Sequence, residues 1–205
     1  MNTSFDAIVD GLAEHGYAMV DQFLSQDEVE AIIGLEDFKT ADTQFKKAGI
    51  GNNKSLQIQE TIRGDYIQWL DKTNSPEAVR VYLSRLDELI QFINRTLFLS
   101  LKDIEVHMTV YPAGSFYKRH LDQFKQDDHR KLSVICYLNT EWKEEHGGQL
   151  RMYLPDRSLD ILPLAGRLVI FRSDQIEHEV LPSMRPRLSI TGWMLDQFVD
   201  MKHLG

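Results

Sequence analysis

The stretch Tyr111-Pro112-Ala113-Gly114-Ser115-Phe116-Tyr117-Lys118-Arg119-His120-Leu121-Asp122 decides how this chain is read. His120 and Asp122 stand two residues apart, and in an extended segment alternate side chains share a face, so both project toward one point. Taken alone, a His-x-Asp pair suits a surface or a satisfied core as well as a metal. A distant segment, His178 to Arg187, answers it. His178 completes a set of two imidazoles and one carboxylate, the combination that binds non-haem Fe(II) on one side and leaves the opposite positions open for chemistry.

Arg187 heads the stretch Arg187-Leu188-Ser189-Ile190-Thr191-Gly192-Trp193-Met194, whose alternation puts Arg187, Ser189, Thr191 and Trp193 on one face. A guanidinium fork beside two hydroxyls matches the bidentate recognition of a carboxylate. A metal with an acidic co-substrate is the combined reading.

Working outward, the period is helical before about residue 100 and two-fold after it. Phe5, Ile8, Val9 and Leu12 form one helical face that Gly16 ends, and Tyr17 to Leu24 reads as a strand. Ser25-Gln26-Asp27-Glu28 is a capping box opening a helix with Val29, Ile32 and Ile33 inward. Lys46 to Asn53 carries turn chemistry, and Ser55 to Leu70 reads as two strands or a strand and a loop. Pro76 at the first helical position starts the longest periodic segment, with Val79, Tyr82, Leu83, Leu86, Leu89, Ile90, Ile93 and Leu97 in one stripe.

Short strands follow over Ile104–Tyr111, Lys131–Leu138, Gln149–Tyr153, Leu159–Leu162, Arg167–Phe171 and Arg187–Met194, with Gly147-Gly148 as a hairpin turn. The pattern predicts an α+β, mainly β fold: an antiparallel jelly-roll core, or double-stranded β-helix, with N-terminal helices packed on one side. The 205 residues read as one domain, 1–100 giving helical support and a substrate loop and 101–196 the catalytic core.

A net charge of -8 argues against nucleic acid or an anionic membrane as partner. The start lacks the charged and apolar regions of a secretory signal, and no apolar run reaches the length of a bilayer span, so a cytoplasmic protein is expected. Cys136, the single cysteine, reads as a small buried hydrophobe. His107 shares strand parity with Thr109 and Tyr111 and suits either the pocket or the core, and it stays outside the predicted site. His129 beside Asp127 and Asp128 lacks the fixed geometry a metal needs.

From Ile62 to Asp196 the chain resembles the Fe(II)- and 2-oxoglutarate-dependent oxygenases, specifically prolyl hydroxylases similar to the hypoxia-inducible-factor enzymes. The resemblance rests on Ile62-Arg63-Gly64-Asp65 with Trp69, Tyr111-Pro112, Tyr117 before His120, Tyr137-Leu138-Asn139, Gly147-Gly148-Gln149-Leu150-Arg151, and His178-Glu179-Val180 through Arg187. It implies Fe(II) on His120, Asp122 and His178, with 2-oxoglutarate and dioxygen as co-substrates and ascorbate as reductant. Arg187 and Tyr137 would hold the far carboxylate of 2-oxoglutarate, Tyr111 would bond near its iron-side end, and Thr191 would lie beside it. Arg63 and Asp65 would pair in a substrate-covering loop, with Tyr117 and Trp193 completing the substrate side. As residues alone, Arg63-Gly64-Asp65 reads as an ordinary glycine turn with solvated charges.

The implied reaction is hydroxylation of a prolyl residue in a protein, with succinate and carbon dioxide released. Asp122 as ligand favours hydroxylation over halogenation. A translation factor such as elongation factor Tu is the candidate target for a compact, bacterial-type relative, and a monomer is favoured. Competing readings are an oxygenase of another side chain or a small metabolite, a non-catalytic sensor of 2-oxoglutarate or metal, and a plain structural domain.

Overall fold

The computed structural model describes residues 3–39, 45–48, 62–123 and 128–198. The chain runs α1 (Thr3–His15), β1 (Tyr17–Val20), α2 (Gln26–Ile33), α3 (Glu36–Lys39), β2 (Lys46–Lys47), β3 (Tyr66–Trp69), α4 (Glu77–Leu97), β4 (Asp103–Tyr111), β5 (Tyr117–His120) and β6 (Arg130–Tyr137). After a 3₁₀ turn at Glu144–His146 come β7 (Leu150–Tyr153), β8 (Ser158–Ile161), β9 (Leu168–Arg172), β10 (Glu177–Val180) and β11 (Arg187–Leu195).

These strands form two antiparallel sheets, β1-β9-β6-β11-β4-β3-β2 and β5-β10-β7-β8. This is the expected double-stranded β-helix. Three central strands of the larger sheet set the architecture, because both of their faces are buried. On one face Ile104, Val106, Met108, Leu132, Val134, Cys136, Ile190 and Met194 join a core with Ile8 and Leu12 of α1, Val29 and Ile32 of α2, and Val79, Leu86 and Ile93 of α4. The other face of the same strands looks toward the smaller sheet, and it is largely polar: Glu105, His107, Thr109, Ser133, Arg187 and Ser189 are all buried there. Between the sheets Tyr111, Ile135, Tyr137, Val169 and Phe171 pack on Leu150, Met152, Ile161 and Val180.

The helices follow their sequence signals closely. In α2 the Ser25 hydroxyl accepts from Glu28 N–H, and the Glu28 carboxylate accepts from Ser25 N–H at 2.8 Å. Arg85 of α4 then reaches across to the same carboxylate and to the Phe23 carbonyl, tying the start of α2 to the middle of α4.

Several boundaries differ from the sequence reading. β1 stops at Val20, because Gln22 adopts a left-handed φ of 56° and Leu24 N–H turns to Gly166 O. Pro76 is the N-cap of α4 rather than its first helical residue. β5 and β10 are strands that the pattern did not separate out. Gly147-Gly148 is not a hairpin turn: Gly147 bridges to Ser183 and Gly148 N–H donates to Pro182 O, so the pair buttons one end of the barrel shut. Both have φ near 70°, and a Cβ on Gly147 would sit 2.5 Å from Pro182 O. The expected turn-rich stretch 49–53, residues 55–61 and the tail after Phe198 lie outside the described residues.

Gly192, in the middle of β11, marks the tightest backbone approach in the sheet. A Cβ there would lie 2.2 Å from Glu105 O and 2.4 Å from a Val106 methyl. Gly192→Ala is therefore expected to lower the unfolding free energy in urea by about 2 kcal/mol, as overpacking in a fixed core does.

Candidate active site

β5 and β10 pair with His120 opposite His178, both rings turned into the barrel. Asp122 lies two residues beyond β5, in a bend rather than in the strand, and still meets them. Each ring fixes its own tautomer, since Nδ1–H of His120 donates to Lys118 O at 2.7 Å and Nδ1–H of His178 to Ile176 O at 3.2 Å. The two bare Nε2 atoms therefore face the Asp122 carboxylate, at 3.4 Å and 3.5 Å.

One ligand atom from each of the three residues falls within 4.8 Å of the others. Three lone-pair donors converging with no proton between them repel one another. A cation at their centre reverses the sign of that interaction, so the donor set fits a divalent metal, and two imidazoles with one carboxylate fit Fe(II).

The carboxylate is held in place from behind. Ser133 Oγ donates to Asp122 Oδ2 at 2.6 Å and lies 2.9 Å from Ser173 Oγ, both serines being buried. Burial alone would raise the Asp122 carboxyl, but in the metal-free site the imidazoles, once protonated at low pH, and this hydroxyl outweigh it and keep it well below the usual carboxylate range. Burial pushes His178 down to about 4, so the ring is neutral and ready to ligate at neutral pH.

At the other end of the inner face lies Arg187, 1% exposed. Its Nε donates to Gly148 O at 2.9 Å, while Nη2 has no partner, and among the described residues no carboxylate pairs with it. The phenol of Tyr137, ring 4.9 Å from the guanidinium, is also unpartnered, and Tyr111 faces Arg187 across the β4–β11 pairing with its ring at 5.3 Å. Burial raises both phenols above their ordinary value, so they stay protonated donors. A buried guanidinium without a counter-charge costs several kcal/mol. Donors arranged in this way fit the carboxylate of a small acid.

Between the two ends run Ser189, bonded to Thr191 at 3.1 Å, then Thr109, His107 and Trp193. Thr109 Oγ1, His107 Nδ1 and Trp193 Nε1 are buried without partners. His107, which sequence parity left open, stands on this wall with Trp69 and Trp193 around it, and burial takes it down to about 3. Arg130 lies 3.5 Å over the Trp193 ring and pairs with Glu105.

Arg63 and Asp65 make a two-pronged pair at 2.7 and 2.6 Å. Asp65 is buried rather than solvated. Ser133, Ser173, Arg130 and Glu105 carried no signal in the sequence beyond being polar residues in or beside strands. His129 pairs with Asp196 at 2.7 Å, away from the three ligands.

Two sheets, three metal-type donors at the mouth and an unpaired guanidinium at the base agree with the relatives the chain has. Residues 106–195 match the family model of the 2OG-Fe(II) oxygenase superfamily, and the chain belongs to that family. A Pseudomonas putida prolyl-4-hydroxylase of known structure is 44% identical, with 95% of this chain and 100% of that one covered and a TM-score of 0.85. A Trichoplax adhaerens prolyl hydroxylase, solved with a peptide fragment of the hypoxia-inducible-factor oxygen degradation domain, is 27% identical over 95% of this chain and 90% of that one, with a TM-score of 0.86. The hypoxia-inducible factor prolyl hydroxylase of Caenorhabditis elegans is 31% identical over 93% of this chain, which spans only 28% of that relative.

Two outcomes follow from the histidines and from Ser133. In the unfolded chain His178 and His107 take up protons near 6.5, whereas in the fold they do so only near 4 and 3. The unfolded state thus binds more protons across that window, and stability rises with pH. Metal-free protein is expected to lose stability as pH falls from about 6.5 toward 4, by up to roughly 1.4 kcal/mol per pH unit for each histidine, in urea unfolding at fixed ionic strength. Ser133→Ala is expected to weaken divalent metal binding about tenfold in direct titration, with the far-ultraviolet circular dichroism unchanged, because a carboxylate ligand loses its orienting donor.

Proposed function

We propose that the protein is an Fe(II)- and 2-oxoglutarate-dependent dioxygenase that hydroxylates a prolyl residue in a protein substrate. The observation that carries this reading is the pairing of an intact two-histidine, one-carboxylate donor set with a buried, unpaired Arg187 on the opposite sheet. The likeness to prolyl hydroxylases along nearly the whole chain supports the choice of proline. Iron with 2-oxoglutarate and dioxygen supplies the oxidising power for an unactivated C–H bond, releasing succinate and carbon dioxide.

The chain's own residues supply position and exclusion of water. His120, Asp122 and His178 hold the metal, and Ser133 keeps one carboxylate oxygen occupied so that the other is presented. Arg187 and Tyr137 take the far carboxylate, with Tyr111 alongside and Thr191 farther along β11 on the same wall. Arg63, Asp65, Tyr117 and Trp193 lie toward the substrate side, where the Arg130 guanidinium over Trp193 adds a polar rim.

Within this reading ascorbate keeps the iron reduced, the protein works in the cytoplasm as a monomer, and neither nucleic acid nor membrane takes part. Elongation factor Tu is the first protein to test as substrate.

The test is succinate formation from 2-oxoglutarate with Fe(II) under air, with and without a bacterial protein fraction freed of small molecules. Turnover is expected to rise with that fraction, and mass spectrometry is expected to place one added oxygen on a prolyl residue. Arg187→Ala is expected to raise the KM for 2-oxoglutarate by about a hundredfold, the loss of a charge-assisted, two-pronged contact worth about 3 kcal/mol. Oxygen found only on other residue types or on small molecules counts against prolyl hydroxylation. No succinate at all, with metal and 2-oxoglutarate bound, favours a sensor.

A further inference from the structure

The three metal-type ligands are not equally braced. His178 is enclosed, with Phe171 packed on it at a steep angle, 4.7 Å between ring centres, and Asp122 is gripped by Ser133. His120 is the most exposed of the three, its side chain 17% accessible. A hydrogen bond from Nδ1 to Lys118 O fixes one atom of its ring, but it leaves the ring free to tilt about that contact. A second constraint has to come from its faces.

One face carries Tyr117, stacked at 3.7 Å between centroids and 19° between planes. The Arg63 guanidinium carbon lies 4.4 Å from the centre of the same phenol ring. An imidazole at 3.7 Å and a guanidinium at 4.4 Å cannot share one side of a six-membered ring, so Tyr117 is sandwiched between them.

The column is anchored at its far end. Arg63 is held by both oxygens of buried Asp65. The backbone around it is laced to the start of β5, with Gly64 N–H to Phe116 O, Lys118 N–H to Ile62 O, and Arg63 and Tyr117 as bridge partners. Ser115 Oγ adds a bond to Gly64 O.

We propose that Arg63 and Tyr117 are positioning residues of the metal centre, setting the plane of the His120 imidazole through this stacked column, so that a shift of the 62–65 segment is felt at the metal. The inference rests on the reading of His120, Asp122 and His178 as metal ligands. Planarity is the property that matters: a guanidinium can grip Asp65 edge-on and cover Tyr117 face-on at once, which an ammonium cannot. The phenol hydroxyl plays no part in it.

Cobalt(II) is the probe, because its visible bands and the paramagnetically shifted N–H resonances of coordinated imidazoles report each ring separately. Metal-free protein is titrated with Co(II) as wild type and as Tyr117→Phe, Tyr117→Leu, Arg63→Lys and His178→Ala, after thermal melting shows which variants are folded. Tyr117→Phe is expected to bind within twofold of wild type. Tyr117→Leu and Arg63→Lys are expected to bind about tenfold more weakly, the range for a group that orients a ligand, with the His120 resonance shifted and that of His178 in place.

Equal affinity and an unchanged spectrum in Tyr117→Leu and Arg63→Lys overturn the proposal and leave the metal site standing. A loss in Tyr117→Phe as large as in Tyr117→Leu overturns it too, by assigning the effect to the hydroxyl. If Tyr117→Leu does not fold, Arg63→Lys decides alone, since it leaves every residue of β5 intact. Wild-type protein that takes up no Co(II) in a His178-dependent way overturns the metal site and the column together.

Discussion

The structure depends on a positive charge kept out of water with no carboxylate beside it among the described residues. Arg187 sits at the base of the barrel with one nitrogen on Gly148 O and another, Nη2, without a hydrogen-bond partner among the described residues. A buried, unpaired guanidinium opposes folding, and the surrounding apolar packing must offset it. That packing is abundant on the helix side of the larger sheet, where Leu132, Val134, Ile190 and Met194 meet three helices. The helices thus do more than cover a sheet. They supply the stability that lets the opposite face remain polar and unsatisfied, and an unsatisfied face selects for a polar guest.

The metal-type donors obey the same logic in mirror image. His120 Nε2 stands 3.4 Å from one Asp122 oxygen and His178 Nε2 3.5 Å from the other, held there by Lys118 O, Ile176 O and Ser133 rather than by mutual attraction. One sheet therefore offers uncompensated positive charge and the other uncompensated electron density. A divalent cation satisfies the electron-rich set, and on the proposed reading a guest with a carboxylate at one end and metal-binding oxygens at the other would bridge that cation and Arg187.

Much of this was legible in the sequence, for identifiable reasons. The long strands were visible because one of their faces is strictly apolar, and α1, α2 and α4 announced themselves by period and capping. His120, Asp122, His178 and Arg187 were visible because those residue types rarely occur together by accident. β5 and β10 were not separated out as strands: Tyr117-Lys118-Arg119-His120 and Glu177-His178-Glu179-Val180 each give an inward position to an imidazole, which leaves one inward apolar or aromatic residue apiece, too short a hydrophobic signal for a buried face. Ser133 and Ser173 lie forty residues apart and look like any strand serine until pairing brings them together. Arg63-Gly64-Asp65 looked like a solvated turn because burial of Asp65 depends on the neighbouring strand, which local chemistry does not encode. Gly147-Gly148 misled for the opposite reason, since two glycines suit a hairpin as well as a backbone that must pass close to Pro182 O.

The Gly148 carbonyl that fixes Arg187 has one more consequence. Because Nε is tied to the backbone, the guanidinium cannot follow a guest by swinging on its long stem, and across the barrel Asp122 and His178 are fixed by Ser133 and Ile176 O. Two anchors on separate rigid walls make a gauge of length. On the proposed reading an oxo-acid too short would leave one anchor empty and one too long would meet Tyr137 and Tyr111, so the spacing of the two walls would sort acids by the span of their carbon chain before any chemistry begins.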